Sequence, residues 1–165
     1  MKIARAARLM IAAGLCAGLA ACGGGGRNAG PTDSPVSTGT QFLMGSDEQV
    51  EIVKSLIANY AAMDADAVFT STRDSLRFFP FNLEEPLIMT ADDIKEMFSE
   101  YDSIISNPIY FLPYELDGVR RIVEVGSNET KYKKDGTVEK DLFLEKFIFG
   151  DDGKIHTVRQ WRAAW

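Results

Sequence analysis

Residues 141–165, DLFLEKFIFGDDGKIHTVRQWRAAW, contain two apolar-rich runs on either side of the turn sequence Gly150-Asp151-Asp152-Gly153. Alternating apolar and polar residues that flank a glycine-containing turn are typical of a β-hairpin. Two further turn signals, Asp117-Gly118 and Asp135-Gly136, lie upstream. The chain is therefore predicted to end in an antiparallel meander of four long strands, residues 107–116, 119–133, 137–149 and 154–165.

The segment before the meander carries helical periodicity. Ser46 or Asp47 can cap a helix over residues 48–63, because apolar residues recur there every three to four positions. Asp64-Ala65-Asp66 ends this helix and can cap a second, short one over residues 67–72.

A third helix is expected over residues 91–105, with Thr90 as its cap and Asn107-Pro108 as its stop. Its predicted buried face comprises Ile94, Met97, Phe98, Tyr101 and Ile105. Two short strand-like runs, residues 76–81 and 86–89, contain prolines and therefore belong at a sheet edge. Helices followed by a meander predict an α+β fold, with three helices packed on one face of the sheet.

Residues 1–21 have the features of an export signal, with three positive charges and then an apolar run too short to span a membrane comfortably. The end of this segment, Leu19-Ala20-Ala21-Cys22, resembles the bacterial lipobox, in which the chain is cut before a cysteine that carries lipid. The alternative is an ordinary signal cut near Ala20 or Ala21, which leaves a free cysteine. Multiple acyl chains would hold the protein on a membrane.

We therefore divide the chain into a leader (1–21), a lipidated Cys22 with a flexible Gly/Pro/Ser linker (22–45), and one domain (46–165). In proteobacterial lipoproteins an Asp after the cysteine favours retention in the inner membrane, and Gly23 stands there instead. The resemblance thus implies a bacterial cell-envelope protein, on the outer membrane facing the periplasm if the host is Gram-negative.

The chain is acidic, and loss of Lys2, Arg5 and Arg8 with the leader lowers its net charge from −6 to −9. An acidic domain without a basic stripe argues against nucleic-acid binding. Both cysteines precede the domain, so neither a disulfide framework nor thiol chemistry is expected in it. A single histidine and the lack of metal-ligand spacing predict no metal and no cofactor.

The order of elements over residues 47–165 is similar to that of the nuclear transport factor 2-like superfamily, which includes ketosteroid isomerases, SnoaL-like polyketide cyclases and scytalone dehydratase. The resemblance rests on Asn59-Tyr60 leading to residues 64–66, on Phe78-Phe79-Pro80, and on FGDDGKIHTVRQW at residues 149–161. It implies a curled, cone-shaped sheet with a pocket at its open end. Some members are enzymes there, whereas others bind ligands or dimerise through the outer face.

Resemblance to ketosteroid isomerases implies a Tyr on the first helix, an Asp base before a proline, and an acid on the penultimate strand. Tyr60 stands at the first position and Glu145 at or next to the acid, but Phe79 occupies the position of the base. Isomerase chemistry thus lacks its base, and His156 is the only histidine. The catalytic candidates are Glu145, Tyr60 and His156, although a tyrosine on an apolar helical face, as Tyr60 is, is more often a core residue than a catalytic one.

The expected cross-strand pairing of the last hairpin places further side chains beside Glu145. If Phe149 opposes Lys154, then Phe147 opposes His156 and Glu145 opposes Val158. A carboxylate among phenylalanines should have a raised pKa unless a basic group such as Arg162 pairs with it structurally; both interpretations stay open. The predicted pocket comprises Tyr60, Phe79, Tyr101, Phe111, Glu124, Phe143, Glu145, Phe147, His156, Val158, Gln160 and Arg162.

The opposite, convex face is predicted to carry Leu142, Leu144, Ile148, Ile155 and Trp161, joined by Tyr110, Leu112, Val123 and Val125. Such an apolar face favours a homodimer, although Lys146 and Arg159 interrupt it and leave a monomer open. The leading hypothesis is a lipid-anchored envelope protein with a non-catalytic domain that binds a small apolar ligand or a protein partner. The alternative is a SnoaL- or ketosteroid-isomerase-type enzyme acting on a cyclic, partly apolar substrate.

Overall fold

A computed structural model describes residues 28–31, 41–116 and 118–163 of the chain. The strands of the described residues are β1 Asn28–Pro31, β2 Gln41–Met44, β3 Thr72–Phe79, β4 Leu87–Met89, β5 Tyr101–Leu116, β6 Arg120–Lys133, β7 Val138–Phe149 and β8 Ile155–Ala163. The helices are α1 Asp47–Ala61, α2 Ala65–Thr70 and α3 Ala91–Phe98. The predicted α+β fold, a curled, open sheet of four long and several short strands packed against three helices, is confirmed.

The strands form one sheet in the order β1-β2-β5-β6-β7-β8-β3-β4. The predicted meander corresponds to β5 through β8, and positive φ angles at Gly136 (87°) and Gly153 (74°) allow two of its tight turns. Two features were not predicted. β3 pairs with β8 in parallel, and β1 and β2 lie within the segment that we assigned to the linker.

Side-chain caps begin the three helices at the predicted residues. Ser46 and Thr90 each form a capping box, in which the cap side chain accepts from the backbone N–H three residues later and that residue's side chain accepts in return. Asp64 Oδ1 accepts from the N–H of Ala67 at 3.0 Å and starts α2. Within the part of the chain that the structure describes, no helix is long and apolar enough to cross a membrane.

The third helix is shorter than predicted, because α3 ends at Phe98 and Tyr101 already belongs to β5. Tyr101 pairs with Lys133 and Ile105 with Thr130, so the long strand β6 takes this segment as its partner. Pairing with β6 outweighs the helical spacing of the apolar residues, since the backbone groups of a central strand need partners. Ile105 is accordingly 44% exposed on the outer face rather than buried.

The core lies between the helices and the concave face of the sheet. Its larger cluster joins apolar residues of α1, α2 and four strands, namely Val53, Leu56, Ile57, Val68, Leu76, Val123, Val125, Phe147, Phe149, Ile155 and Val158. The placement of Val123, Val125 and Ile155 on the convex face was therefore wrong. Val123 pairs directly with Phe147, and direct cross-strand partners share a face of the sheet.

Candidate functional site

A cavity of about 160 Å³ lies between the three helices and the concave face of the sheet. Most of its wall is apolar and comes from both layers. The lining residues are Leu56, Ile57, Tyr60, Val68, Leu76, Phe78, Met89, Ile94, Met97, Ser106, Glu129, Lys131, Glu145, Phe147, Val158 and Gln160. An apolar chamber with a few converging polar groups is the usual form of a small-molecule site.

Glu145 is the central polar group of this cavity. It lies on β7 between Val125 of β6 and Gln160 of β8, and Gln160 Nε2 donates a hydrogen bond to Glu145 Oε1 at 3.0 Å. Burial, followed by the nearby carboxylate of Glu129, raises the pKa of Glu145 to about 7, against the opposing effects of Gln160 and Lys131. The side chain keeps some accessible surface because it faces the cavity.

A buried ion pair lies beside Glu145. Lys131 Nζ is 2.7 Å from Glu129 Oε1, and their side chains are 17% and 9% exposed. Burial raises the pKa of Glu129, and Lys131 limits this rise. Among the lining residues that the structure describes, Lys131 is the only cation, and it also lies 5.7 Å from the ring centre of Phe143.

Tyr60 supplies a phenol to the same region from α1. Its ring packs against Phe98 with 5.5 Å between ring centres. Burial and the neighbouring carboxylates of Glu129 and Glu145 raise its pKa well above the ordinary value. The phenol therefore stays protonated at neutral pH and can donate a hydrogen bond.

The structure brings five of the residues of the predicted pocket together around this cavity, namely Tyr60, Glu145, Phe147, Val158 and Gln160. The predicted register of the last hairpin was wrong by two residues, because Glu145 opposes Gln160 and Phe147 opposes Val158. A shift by an even number of residues keeps each side chain on its face of the sheet. The faces of these residues therefore agree with the prediction.

The other predicted pocket residues lie elsewhere. Phe143 is buried against Phe81 and Arg162 pairs with Asp141 at 2.5 Å, so neither lines the cavity. Tyr101 packs against the smaller apolar cluster, which includes residues of α3, and Phe111 packs against the larger one.

Three predicted pocket residues lie on the outer face of the sheet. Glu124 pairs with Lys146 at 3.4 Å and accepts a hydrogen bond from Tyr110. Phe79 was misplaced by one residue, since Phe78 lines the cavity and Phe79 faces outward. His156 is the extra residue where the pairing of β7 with β8 shifts register, and such a bulge re-aims its side chain outward.

Glu129 and Lys131 also line the cavity, and neither was predicted from the sequence. The Asp135-Gly136 turn could have identified Glu129, because the hairpin that it closes pairs Val125 with Glu145 and Glu129 with Asp141. Side chains of Val125 and Glu129 are separated by an even number of positions and thus share the face of Glu145. The contributions of α2, α3 and β4 gave no comparable signal, since they depend on how separate elements pack.

The arrangement can hold a proton on Glu145 near neutral pH and can release it. A carboxyl group with a pKa close to ambient pH suits general acid–base chemistry, and it also suits recognition of a polar ligand group. No cluster of three or more potential metal-ligating side chains occurs among residues 28–31, 41–116 and 118–163.

Comparison with known proteins identifies the fold of the domain through similar solved structures. No protein-family model and no curated protein sequence matches the chain. Among solved structures, a SnoaL-like protein of unknown function from Burkholderia thailandensis is 16% identical with a TM-score of 0.55, and the match covers 73% of this chain and 99% of that chain. A nuclear transport factor 2-like protein from Salmonella enterica is 14% identical with a TM-score of 0.58, covering 72% and 90%.

A third structure is described as that of an epoxide hydrolase/cyclase-like enzyme, SalBIII, in pyran ring formation in the polyether salinomycin. It is 17% identical with a TM-score of 0.54, and the match covers 70% of this chain and 91% of that one. Together these structures support the resemblance noted from the sequence. The domain has the nuclear transport factor 2-like cone fold, and identities this low establish the fold alone.

Proposed function

We propose that the domain binds a small, mostly apolar molecule with one polar group, and that this group lies against Glu145 and Gln160. The cavity enclosed by helices and sheet is the observation that carries the proposal. A dry cavity of about 150 Å³ can hold benzene, so a volume of about 160 Å³ suits a ligand with a single ring or of similar bulk. Protonated Glu145 would donate to a carbonyl or ether oxygen, whereas ionised Glu145 would accept from a hydroxyl or amine.

A pair of Val→Phe variants tests this proposal. Val158→Phe adds a ring to the cavity wall, whereas the control, Val138→Phe, makes the same change at a side chain that is 48% exposed on β7. Fragments with one ring are screened by ligand-observed NMR. We expect binding to the wild type and to Val138→Phe, and loss of binding in Val158→Phe with its circular dichroism spectrum retained. Equal binding to both variants would place the ligand outside the cavity.

The second candidate function is acid–base catalysis on a cyclic, partly apolar substrate, as in SnoaL- or ketosteroid-isomerase-type enzymes. The pKa of about 7 at Glu145 favours it, and the cyclase-like description of one similar structure is compatible with it. A positioned general acid or base contributes roughly 10²- to 10⁴-fold to a rate. Glu145→Gln should then lose at least 100-fold in turnover of the substrate while it still binds the substrate. Unchanged turnover in this variant would reject Glu145 as the catalytic group.

We further propose that Cys22 is lipidated and tethers the domain to a bacterial envelope membrane, with the outer membrane favoured in a Gram-negative host. The lipobox-like sequence is the basis of this proposal. Metabolic labelling with an alkyne fatty acid should mark the wild type and fail to mark Cys22→Ser. Equal labelling of both proteins, or of neither, would refute lipidation at Cys22.

Finally, we propose a homodimer through the convex face. Tyr110, Leu112 and Trp161 expose 41%, 42% and 43% of their surface there, and Lys146 lies 5.5 Å from the Trp161 ring centre. Leu112→Asp should convert a dimer to a monomer in multi-angle light scattering. Leu83→Asp, at a loop residue that is 50% exposed, should leave the dimer intact. A monomeric wild type at high concentration would end this proposal.

A further inference from the structure

A second cavity, about 410 Å³ in volume, opens on the outer side of the sheet, where β3, β7 and β8 meet the start of β6. We call it the arginine cleft. Its lining residues are Arg73, Arg77, Phe79, Val119, Arg120, Ile148, Phe149, Gly150, Asp151, His156, Thr157 and Arg159. Successive residues of a strand point to opposite faces, so Phe78 and Val158 face the inner cavity while Phe79 and Arg159 face this cleft. The two sites are therefore separate.

The arginine cleft concentrates positive charge on an acidic protein. Among the residues that the structure describes, its lining includes four arginines and one carboxylate, Asp151, whereas the chain as a whole carries a net charge of −6. The four arginines come from three separate parts of the chain, and the parallel pairing of β3 with β8 sets Phe79 directly beside Arg159. Because these arginines are far apart in the sequence, no run of basic residues in the sequence indicates the cluster.

Two of the four guanidinium groups, those of Arg73 and Arg159, are held by contacts within the protein. Arg73 Nε donates to Asp152 Oδ2 at 2.8 Å, and a Cβ atom at Gly150 would collide with the Arg73 guanidinium. Arg159 stacks on the Phe79 ring with its Cζ 4.2 Å from the ring centre, and Arg77 lies 5.4 Å from the same centre. Among the residues that the structure describes, neither Arg77 nor Arg159 has a carboxylate oxygen within 4.0 Å. Both can therefore take an anionic ligand.

We infer that the arginine cleft binds the phosphate group of a small phosphate-bearing molecule. Among the described residues, four guanidinium groups against the carboxylates of Asp151 and Asp152 leave two excess positive charges, and a phosphate monoester carries about −1.5 to −2 at pH 7. Guanidinium forks match phosphate oxygens in geometry, and several of them suit a polyvalent oxyanion better than a single carboxylate. The volume exceeds that of a bare phosphate and leaves room for an organic part beside Ile148 and the exposed Val119.

His156 makes the cleft directly observable, because it is the only histidine in the chain and it lines this cavity. Its Nδ1 is 2.8 Å from Thr157 Oγ1. Burial and then the charge of Arg73 lower the pKa of His156. The imidazole is thus neutral at pH 7.5, and its two carbon-bound protons give one assignable pair of NMR signals.

The decisive experiment titrates glycerol phosphate and inorganic phosphate into the purified protein at pH 7.5 and follows the His156 signals. We expect a saturable shift with both probes and no saturable shift with sodium chloride at equal ionic strength. The charge-removing variant Arg77→Gln/Arg159→Gln should weaken binding at least tenfold. The matched control, Lys134→Gln/Lys140→Gln, removes two exposed charges elsewhere and should bind as the wild type does.

A linear, chloride-like shift, or equal affinity in both double variants, would overturn the assignment. If Arg77→Gln/Arg159→Gln does not fold, the wild-type titration still decides, since it needs no variant. The phosphate can belong to a soluble ester or to a lipid headgroup. Sedimentation of the Cys22→Ser protein, which lacks the proposed lipid, with phosphatidylglycerol-containing vesicles, against phosphatidylcholine alone, separates these sources. Vesicle binding that depends on Arg77 and Arg159 assigns a headgroup, and titration without vesicle binding assigns a soluble ester.

Discussion

Glu145→Gln is expected to stabilise the folded protein, and to do so only at higher pH. The wild-type carboxyl group lies in a largely apolar cavity beside Glu129, and these surroundings disfavour its charge. Glutamine has nearly the same shape and can still accept the hydrogen bond from Gln160. The substitution thus removes the buried charge and leaves the packing in place.

The size and sign of the effect follow from the pKa of Glu145. The folded state has a pKa of about 7 instead of 4.5, and this difference corresponds to about 3 kcal/mol. Between these values the folded protein keeps a proton that the unfolded chain releases, so the free energy of unfolding falls as pH rises. The penalty is absent below about pH 4.5 and complete above about pH 7. At pH 8 the variant should be more stable by up to about 3 kcal/mol.

Urea unfolding at pH 4.5 and pH 8 measures this difference. Glu145→Gln and wild type should differ little at pH 4.5 and clearly at pH 8. The control is Glu85→Gln at an exposed loop residue, which should follow the wild type at both values. A variant that is less stable than the wild type at pH 8 would show that Glu145 is a structural, ion-paired group, and the reasoning from burial would be refuted.

Three further predictions concern stability and can be measured in the same unfolding experiments. Lys131→Met leaves the carboxylate of Glu129 buried without its cation and should lower the free energy of unfolding by about 3 kcal/mol at pH 8. The double variant Lys131→Met/Glu129→Gln should recover most of this loss. A double variant as unstable as Lys131→Met would argue against the ion pair. Thr90→Ala removes the capping box of α3 and should cost about 1 kcal/mol, whereas Thr90→Ser should cost little. Gly136→Ala forces a side chain into a turn with φ of 87° and should cost about 1 kcal/mol, while Lys134→Ala nearby should be neutral.

The sequence predicts the meander and one wall of the cavity because local signals determine both. Turn residues between alternating runs locate the strands, and alternation assigns each side chain to a face. Glu145, Phe147 and Gln160 were placed on the correct face even though the predicted register was wrong, since the error was an even number of residues. His156 was placed on the wrong face of the sheet because a bulged residue interrupts the alternation of side chains along β8. Nothing in the local sequence pattern indicates that bulge.

The remaining errors involve contacts between distant segments. Residues 101–105 have helical spacing, and only the presence of β6 as a partner turns them into a strand. The parallel pairing of β3 with β8 joins residues about 80 positions apart, and no single tight turn connects the two strands that could indicate the pairing in the sequence. The arginine cleft depends on that pairing, so its charge cluster becomes visible only in three dimensions.

The energetics of Glu145 favour a functional role for the inner cavity. A carboxyl group with a pKa raised by burial is expected to lower stability at pH 8, where a neutral isostere would raise it. Proteins tolerate such groups mainly where binding or catalysis needs them. Around Glu145 the protein also keeps an unfilled volume, a phenol at Tyr60 that stays protonated, and a buried cation at Lys131. Filling this space with apolar side chains would give a more stable domain, so the cavity is best explained by a ligand that enters it.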